Sequence, residues 1–414
     1  MTQATIARDE IDFSDHERFW PRPLAERHAA YALLRRDEPI SYHPEPATAR
    51  FGAGPGFYAV VRHADVLEAS RKPDLFSSAQ GTSIRDLPAE YNEFFGSMLN
   101  MDDPRHARLR GLVSAGFTPR TMARIERDLH AIAAARVDRL LEEGPCDFVD
   151  VVAAPLPLSA ICRMMGIPAE YHDFVRHQSD IILDPMSTPP GVPRSTAVLE
   201  AGRALAALMD DIVAHHLRPD GDDLTSALLR AEVDGQRLTQ QEIQSFFVLL
   251  TAAGNETTRN ASTWGLHLLT EHPDQRARWL ADPDGLAVSA VEELVRFASP
   301  VIQFRRTVTR DGVQLGGHTF AEGDKVVLFY ESANRDETVF DEPDRFDLGR
   351  DPNPHVGFGG PGPHFCIGAH LARRQLMVLF RELLTRVPTI VADGPPQRGV
   401  SSLLNVIRSQ RCAW

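Results

Sequence analysis

The chain has 414 residues, 43% of them hydrophobic, which is enough to bury a substantial core. Lys and Arg number 44 against 57 Asp and Glu, a formal charge of −13 that disfavours nucleic acid and anionic membranes as general partners. The first residues carry Arg8, Asp9, Glu10, Asp12, Asp15, Glu17 and Arg18 instead of an export signal, and no window approaches the roughly 20 apolar residues that cross a bilayer; a cytoplasmic protein without a membrane span is expected.

Phe57 to Arg62 follows the turn signal Gly54-Pro55-Gly56 and reads as a short strand, and Ala64 to Arg71 reads as a helix. From Pro119 to Met165, and again from Val198 to Leu217, Ala, Leu, Ile, Arg and Glu recur at helical spacing with few breakers. Between these runs, Asp184 to Pro193 holds prolines that lack the amide donor a helix needs, so a mobile surface connection is predicted. Thr239 to Thr270 is a long helical candidate opened by the capping pair Thr239 and Glu242, and its Gly254 invites a local distortion. Val313, Leu315 and Val326 to Leu328, set around Gly316-Gly317 and Gly323-Asp324, read as hairpin strands of a small second sheet. Asp341 to Pro363, rich in Pro, Gly and Asp, forms a long loop ahead of a helix from Ile367 to Leu384. There is no internal repeat, and one mainly α domain with a minor β region is expected over residues 1–414.

Four cysteines lie far apart in sequence, so no Cys-x-x-Cys pair marks zinc or an iron-sulfur cluster. Cys146, Cys162 and Cys412 read as small buried hydrophobes. Cys366 differs, standing in Phe358-Gly-Gly-Pro-Gly-Pro-His-Phe-Cys-Ile-Gly368 just before a helix. Glycine backbone can approach a flat macrocycle closely, and amides at a helix start favour the thiolate form of the sulfur. The pattern describes an anionic sulfur ligand.

This segment resembles the haem-binding loop of the cytochrome P-450 family. The family pattern expects Phe, two residues, Gly, three residues, Cys, one residue, Gly. Gly362, Cys366 and Gly368 fall in place, whereas Phe358 lies one position too early, so the loop carries one extra residue. Ala253 to Thr258 resembles the family's oxygen-activating segment, which implies Glu256 and Thr257 as catalytic residues, an acid beside a hydroxyl relaying protons through water. Glu293-Leu-Val-Arg296 matches the family's Glu-x-x-Arg pair, with Arg345 implied to complete a charged cluster behind the haem. His106 and Arg110, four apart on a presumed helix, are candidates to bind haem propionates, and Arg306 and His364 match family propionate contacts. The resemblance covers nearly the whole chain. In wording, Met101 to His106, Ala253 to Asn260 and Ser332 to Asp336 are similar to a mycobacterial subgroup that hydroxylates methyl-branched lipids, with relatives acting on sterol side chains.

The resemblance implies haem b held between the Thr257 helix and the helix after Cys366, with Cys366 as the axial iron ligand and Gly368 beside the macrocycle. It implies a monooxygenase that inserts one atom of O2 into a C–H bond of an apolar substrate, by terminal hydroxylation of a methyl-branched lipid, an isoprenoid or a sterol side chain. No cysteine cluster and no Gly-x-Gly-x-x-Gly fingerprint for flavin or nicotinamide is read, so a ferredoxin and its reductase are expected as electron donors to a monomer. Arg108, Arg373 and Arg374 are candidates for a docking patch. Phe246 to Leu250 and Val301-Ile302 are candidates for an apolar pocket wall, and the segments Gln80 to Leu99 and Asp184 to Thr196 for substrate-dependent loops. Three other readings stay open: tailoring of a terpenoid or macrolide, a peroxide-driven haem enzyme, and a haem-thiolate ligand-binding module without turnover. The intact Glu256-Thr257 pair argues against the last.

Overall fold

The protein is described by a computed structural model, which covers residues 5–47, 52–117, 119–183, 187–216, 221–233 and 235–414. Helices dominate it. Helices α1 (Leu24–Asp37), α2 (His63–Arg71), α3 (Ala89–Gly96) and α4 (Arg105–Gly116) lead to the long α5 (Pro119–Glu143). The helical run expected to continue to Met165 breaks at Gly144, whose φ of +73° suits glycine alone at low cost. A wide π turn at Val149–Ala153 then feeds α6 (Pro155–Met165), where Pro155 stands in the first turn and its missing amide costs nothing. Gly166, with φ +74°, ends α6 in the left-handed region. Next come α7 (His172–Leu183), α8 (Arg194–Asp211) and α9 (Leu224–Arg230). Of the connection expected to be mobile, Asp184, Pro185 and Met186 lie outside the described residues, and the remainder turns into α8 at Pro193.

The 32-residue α10 (Gln240–Glu271) is the axis of the molecule, packing against α3, α6, α7 and α8 and, from the later chain, against α11 (Pro273–Ala281), α12 (Ala287–Ala298) and α14 (Ala369–Arg386). The single turn α13 (Tyr330–Ala333) intervenes. The start of α10 is the expected capping box: the Glu242 amide donates to Thr239 Oγ1 at 3.2 Å and the Thr239 amide to Glu242 Oε2 at 2.8 Å. The distortion expected at Gly254 is not there, since α10 is helical throughout. Packing gives Gly254 a different reason: a Cβ on it would stand 3.1 Å from Ile161 Cδ1 of α6. Phe246, Phe247, Trp264 and Leu269 of α10 share one core cluster with Leu129, Ile161, Leu294 and Phe380 from four neighbouring helices.

The strands are β1 (Ile40–His43), β2 (Phe57–Val60), β3 (Phe76–Ser77), β4 (Cys146–Asp147), β5 (Gln303–Val308), β6 (Val313–Leu315), β7 (His318–Phe320), β8 (Lys325–Phe329), β9 (Val391–Ala392), β10 (Gln397–Arg398), β11 (Ile407–Ser409) and β12 (Arg411–Ala413). The early and late strands do not form separate sheets, although their separation in sequence suggests it. They merge into one sheet of order β1-β2-β8-β5-β3, with β2 and β8 parallel and Tyr58 opposite Val326. All five residues of β8 are buried, as befits a strand covered on both faces. The hairpin β6-β7 stands apart from this sheet, and β4-β12-β9 forms a small three-stranded sheet at the C-terminus.

Candidate active site

The glycine-rich loop brings Cys366 to the start of α14 by doubling back on itself. The Cys366 amide donates to Phe358 O at 3.0 Å and the Phe365 amide to Gly362 O at 3.1 Å. Gly359, with φ +86°, makes a turn there that only glycine adopts without strain. Gly362 passes so close to the Ser70 carbonyl of α2 that a side chain there would collide with backbone. Phe358 places its ring 4.3 Å from the Arg373 guanidinium, a cation–π contact. The Gly368 amide hydrogen-bonds the Cys366 sulfur. Burial raises the thiol's pKa, while that hydrogen bond and the charges of Arg110 and Arg373 pull it down. Cys366 is nevertheless an exposed residue. A thiol that is both desolvated by surrounding chain and exposed at its surface faces an internal hollow.

A second opening lies on α10, the helix that packs against α14. Ala253 is exposed in the middle of this helix, although its neighbours Thr251, Asn255 and Glu256 are buried. Thr257 lies one turn further on the same face, its Oγ1 donating to Ala253 O at 2.8 Å. Glu256 points elsewhere. It is buried and accepts from Arg259 Nη2 at 2.5 Å and Asn260 Nδ2 at 3.1 Å, and burial raises its pKa against the pull of both partners. Of the expected apolar wall, Phe246, Phe247, Val248 and Ile302 are consumed by the core, and Leu249, Leu250 and Val301 stay partly open.

Beside Cys366, three segments converge with nitrogen-bearing side chains. His106 and Arg110 come from α4, Arg306 from β5 and His364 from the cysteine loop. The His106 and His364 rings lie 4.4 Å apart, and Arg110 Nη2 donates to Phe365 O at 2.8 Å. His364 is pushed down to about 3, by burial first and then by Arg306, His106 and Arg110. Strand alternation explains why Arg306 joins this group while Arg305 turns away to Asp86 at 2.6 Å. His106 Nδ1 lies 3.4 Å from Asp103 Oδ1, yet its buried Nε2 has no partner. Two arginines and two histidines gathered beside a cysteine, with the buried His106 Nε2 left without a partner, fit a macrocycle that carries carboxylates.

A family model described as Cytochrome P-450 matches residues 198–282 and 286–396. The chain is 47% identical over 403 residues to the methyl-branched lipid omega-hydroxylase of Mycobacterium tuberculosis, covering 96% of this chain and 93% of that one. It is 37% identical over 383 residues to the steroid C26-monooxygenase of Mycolicibacterium smegmatis, covering 91% and 88%. Among solved structures, a Mycobacterium marinum cytochrome P-450 in complex with pseudoionone superposes with a TM-score of 0.88 at 42% identity, covering 100% of both chains. The chain belongs to the cytochrome P-450 family. It is therefore a monooxygenase of the haem-thiolate type, and no helix of the described residues is long and apolar enough to cross a membrane.

Within this cytochrome P-450 some expectations need correction. Arg296 binds Glu293 as expected, but Arg345 is exposed and pairs with Glu342 at 2.8 Å. Its place beside Glu293 is taken by Arg350, at 3.3 Å, together with Asn353 and the Asp347 amide. Arg108, Arg373 and Arg374 do not form a free docking patch: they are neutralised by Glu242, Glu292 and Glu126. The spelling Gly357-Phe-Gly359-Gly-Pro-Gly362 does meet the letters of the dinucleotide fingerprint, but no strand leads into it and it serves the cysteine loop. Two features escaped the sequence reading: Glu292, which joins His355 to Arg373 behind the loop, and Arg259, which holds Glu256.

Proposed function

We propose that this P-450 hydroxylates the terminal methyl region of a methyl-branched apolar chain, whether of a lipid, an isoprenoid or a sterol. The observation that carries this reading is 47% identity over nearly the full chain to an enzyme named as a methyl-branched lipid omega-hydroxylase. It is supported by the relative named for a steroid C26 position and by the pseudoionone complex, since a branched hydrocarbon terminus is common to these molecules. The residues left open on α10, Leu249, Leu250 and Ala253, offer apolar surface without a hydrogen-bond donor. Such a wall binds through roughly 25 cal/mol per Å² and discriminates by shape more than by chemistry.

The residues present would hold haem b through the Cys366 sulfur, with the Gly368 amide steadying its negative charge, and through His106, Arg110, Arg306 and His364 around the propionates. When bound, the haem supplies the iron on which O2 is split, one atom entering a C–H bond and the other leaving as water. Thr257 Oγ1, released from Ala253 O, holds a water or proton at the hollow. Glu256 replenishes that proton from behind the helix once Arg259 and Asn260 let its carboxyl turn. Two electrons per turnover come from a ferredoxin and its reductase. The test is a panel of a methyl-branched fatty acid, its straight-chain counterpart, a cholesterol-type sterol and a macrolide, scored by haem spin-state shift and by product. The branched acid and the sterol are expected to bind and gain a terminal hydroxyl; binding and turnover of the macrolide alone would overturn the substrate assignment.

A further inference from the structure

Cys146 and Cys412 face each other across β4 and β12, where they are register partners with their sulfurs 4.0 Å apart. Both are free thiols. The Phe148 amide donates to Gln410 O at 2.8 Å, so the alternation of antiparallel bonding makes Cys146 and Cys412 a hydrogen-bonded pair. Their α-carbons then stand about 5.5 Å apart, in the middle of the range a disulfide bridges. Only rotation of the two side chains separates the thiols from a bond.

The surroundings differ in a way that fixes the order of events. Cys146 lines a surface cavity of about 350 Å³ with Arg136, Arg139, Glu143 and Asp147, whereas Cys412 is wholly buried behind it. We propose that Cys146 and Cys412 form a thiol-oxidation site, closing as an intramolecular disulfide when hydrogen peroxide enters the cavity. The Cys146 sulfur attacks the peroxide, the O–O bond breaks, water leaves and Cys146 becomes a sulfenic acid. The Cys412 sulfur then attacks the Cys146 sulfur, the S–O bond breaks and a second water leaves. Two thiols lose two electrons in all and one peroxide gains them. Burial raises both thiols, Cys412 to about 12; Asp147 adds to this at both sulfurs, Glu143 at Cys146, and Arg411 opposes it there. Thiolate is scarce at neutral pH, so the step is slow and quickens as pH rises.

The bond would join positions 266 residues apart and so remove a large loop entropy from the unfolded chain. It would also pin the strand that follows two anchors on the oxygen-side helix, the Ile407 amide on Asn260 Oδ1 at 3.0 Å and Trp264 Nε1 on Asn405 O at 3.0 Å.

The experiment treats the reduced, haem-loaded enzyme with hydrogen peroxide, alkylates and digests it without reductant, and maps the peptides by mass. The expected product is the Cys146 peptide joined to the Cys412 peptide, about 2 Da lighter than their sum and separated again by a dithiol. Cys162→Ser should give the same cross-link. Oxidised wild type should melt about 5 °C or more above the reduced form, and Cys146→Ser, altered at the more open partner, should show no such shift. A sulfinic acid on Cys146, or a dimer joined through it, with Cys412 still open to alkylation after unfolding, would overturn the proposal.

Discussion

Arg296 grips Glu293 through two hydrogen bonds, 2.7 and 2.8 Å long, with both side chains wholly buried. Its remaining donors reach the carbonyls of Asn334, Pro343 and Arg345, so one guanidinium ties α12 to the loop that leads to Cys366. Removing one partner of such a pair strands a charge in a dry interior, at about 3–5 kcal/mol. Arg296→Leu is therefore expected to lose most of the protein's stability in denaturant unfolding. Arg350→Ala should cost about 1–2 kcal/mol through its weaker bond to Glu293. Arg345→Ala should leave the unfolding midpoint unchanged, and a loss equal to that of Arg350→Ala would return Arg345 to the cluster.

What the sequence revealed were features written in short strings. The capping box at Thr239, the glycine-rich loop before Cys366 and the Glu293-Arg296 pair all place interacting groups within a turn or two of each other. What it hid depends on distant chain. Nothing in the spelling of Tyr58 and Val326 says that they pair, and Cys146 and Cys412 look solitary until β4 and β12 meet. Arg345 and Arg350 have the same chemistry and lie five positions apart, so only the path of the loop decides which one reaches Glu293. Glu256 and Thr257 were legible as a pair, but a helix turns about 100° per residue and sets them on different faces, one on Arg259 and the other on the hollow.

Glu292 supports the cysteine loop from behind, accepting from Arg373 Nε at 2.5 Å and from His355 Nε2 at 2.8 Å. Burial pushes its carboxyl up, and His355 and Arg373 more than offset this, holding it at about 2 against an ordinary value of 4.5. A folded-state pKa below the unfolded one contributes stability that is complete above pH 4.5 and is lost as pH falls through about 2. Glu292→Gln is expected to cost about 2–3 kcal/mol at pH 7, with the difference from wild type shrinking as pH falls below 4.5. Unfolding curves across that window check this, and a gap that does not narrow would contradict the ion-pair assignment.

Gly202 sits inside α8, where glycine costs about 1 kcal/mol relative to alanine. Room for two rings accounts for it, because a Cβ there would come within 2.7 Å of both Phe94 and Phe95. Ser245 Oγ of α10 donates to the Phe94 carbonyl at 3.0 Å, so the aromatic pair is fixed between α8 and α10. Gly202→Ala should push the rings along that interface and change the ratio of branched to straight-chain affinity by about fivefold or more. Spin-state titrations with the two fatty acids measure the ratio; an unchanged ratio would mean that Phe94 and Phe95 only fill space.

Thr257 stands on the open face of α10 with its hydroxyl held by Ala253 O. Thr257→Ala removes this hydroxyl and should leave folding nearly untouched. Reductant consumption is expected to continue while hydrogen peroxide replaces most of the hydroxylated product. Full coupling in this variant would show that water alone carries the protons.

Every catalytic role proposed for this chain depends on Cys366 holding the haem iron. The direct measurement is the carbon monoxide difference spectrum of the reduced protein for wild type, Cys366→Ser and Cys162→Ser. Cys162 is buried in the core, where burial pushes its thiol up to about 12, so it serves as the control. Wild type and Cys162→Ser are expected to show the thiolate-type band, and Cys366→Ser to lose it. A Cys366→Ser protein that keeps the band, beside a Cys162→Ser protein that loses it, would contradict the assignment.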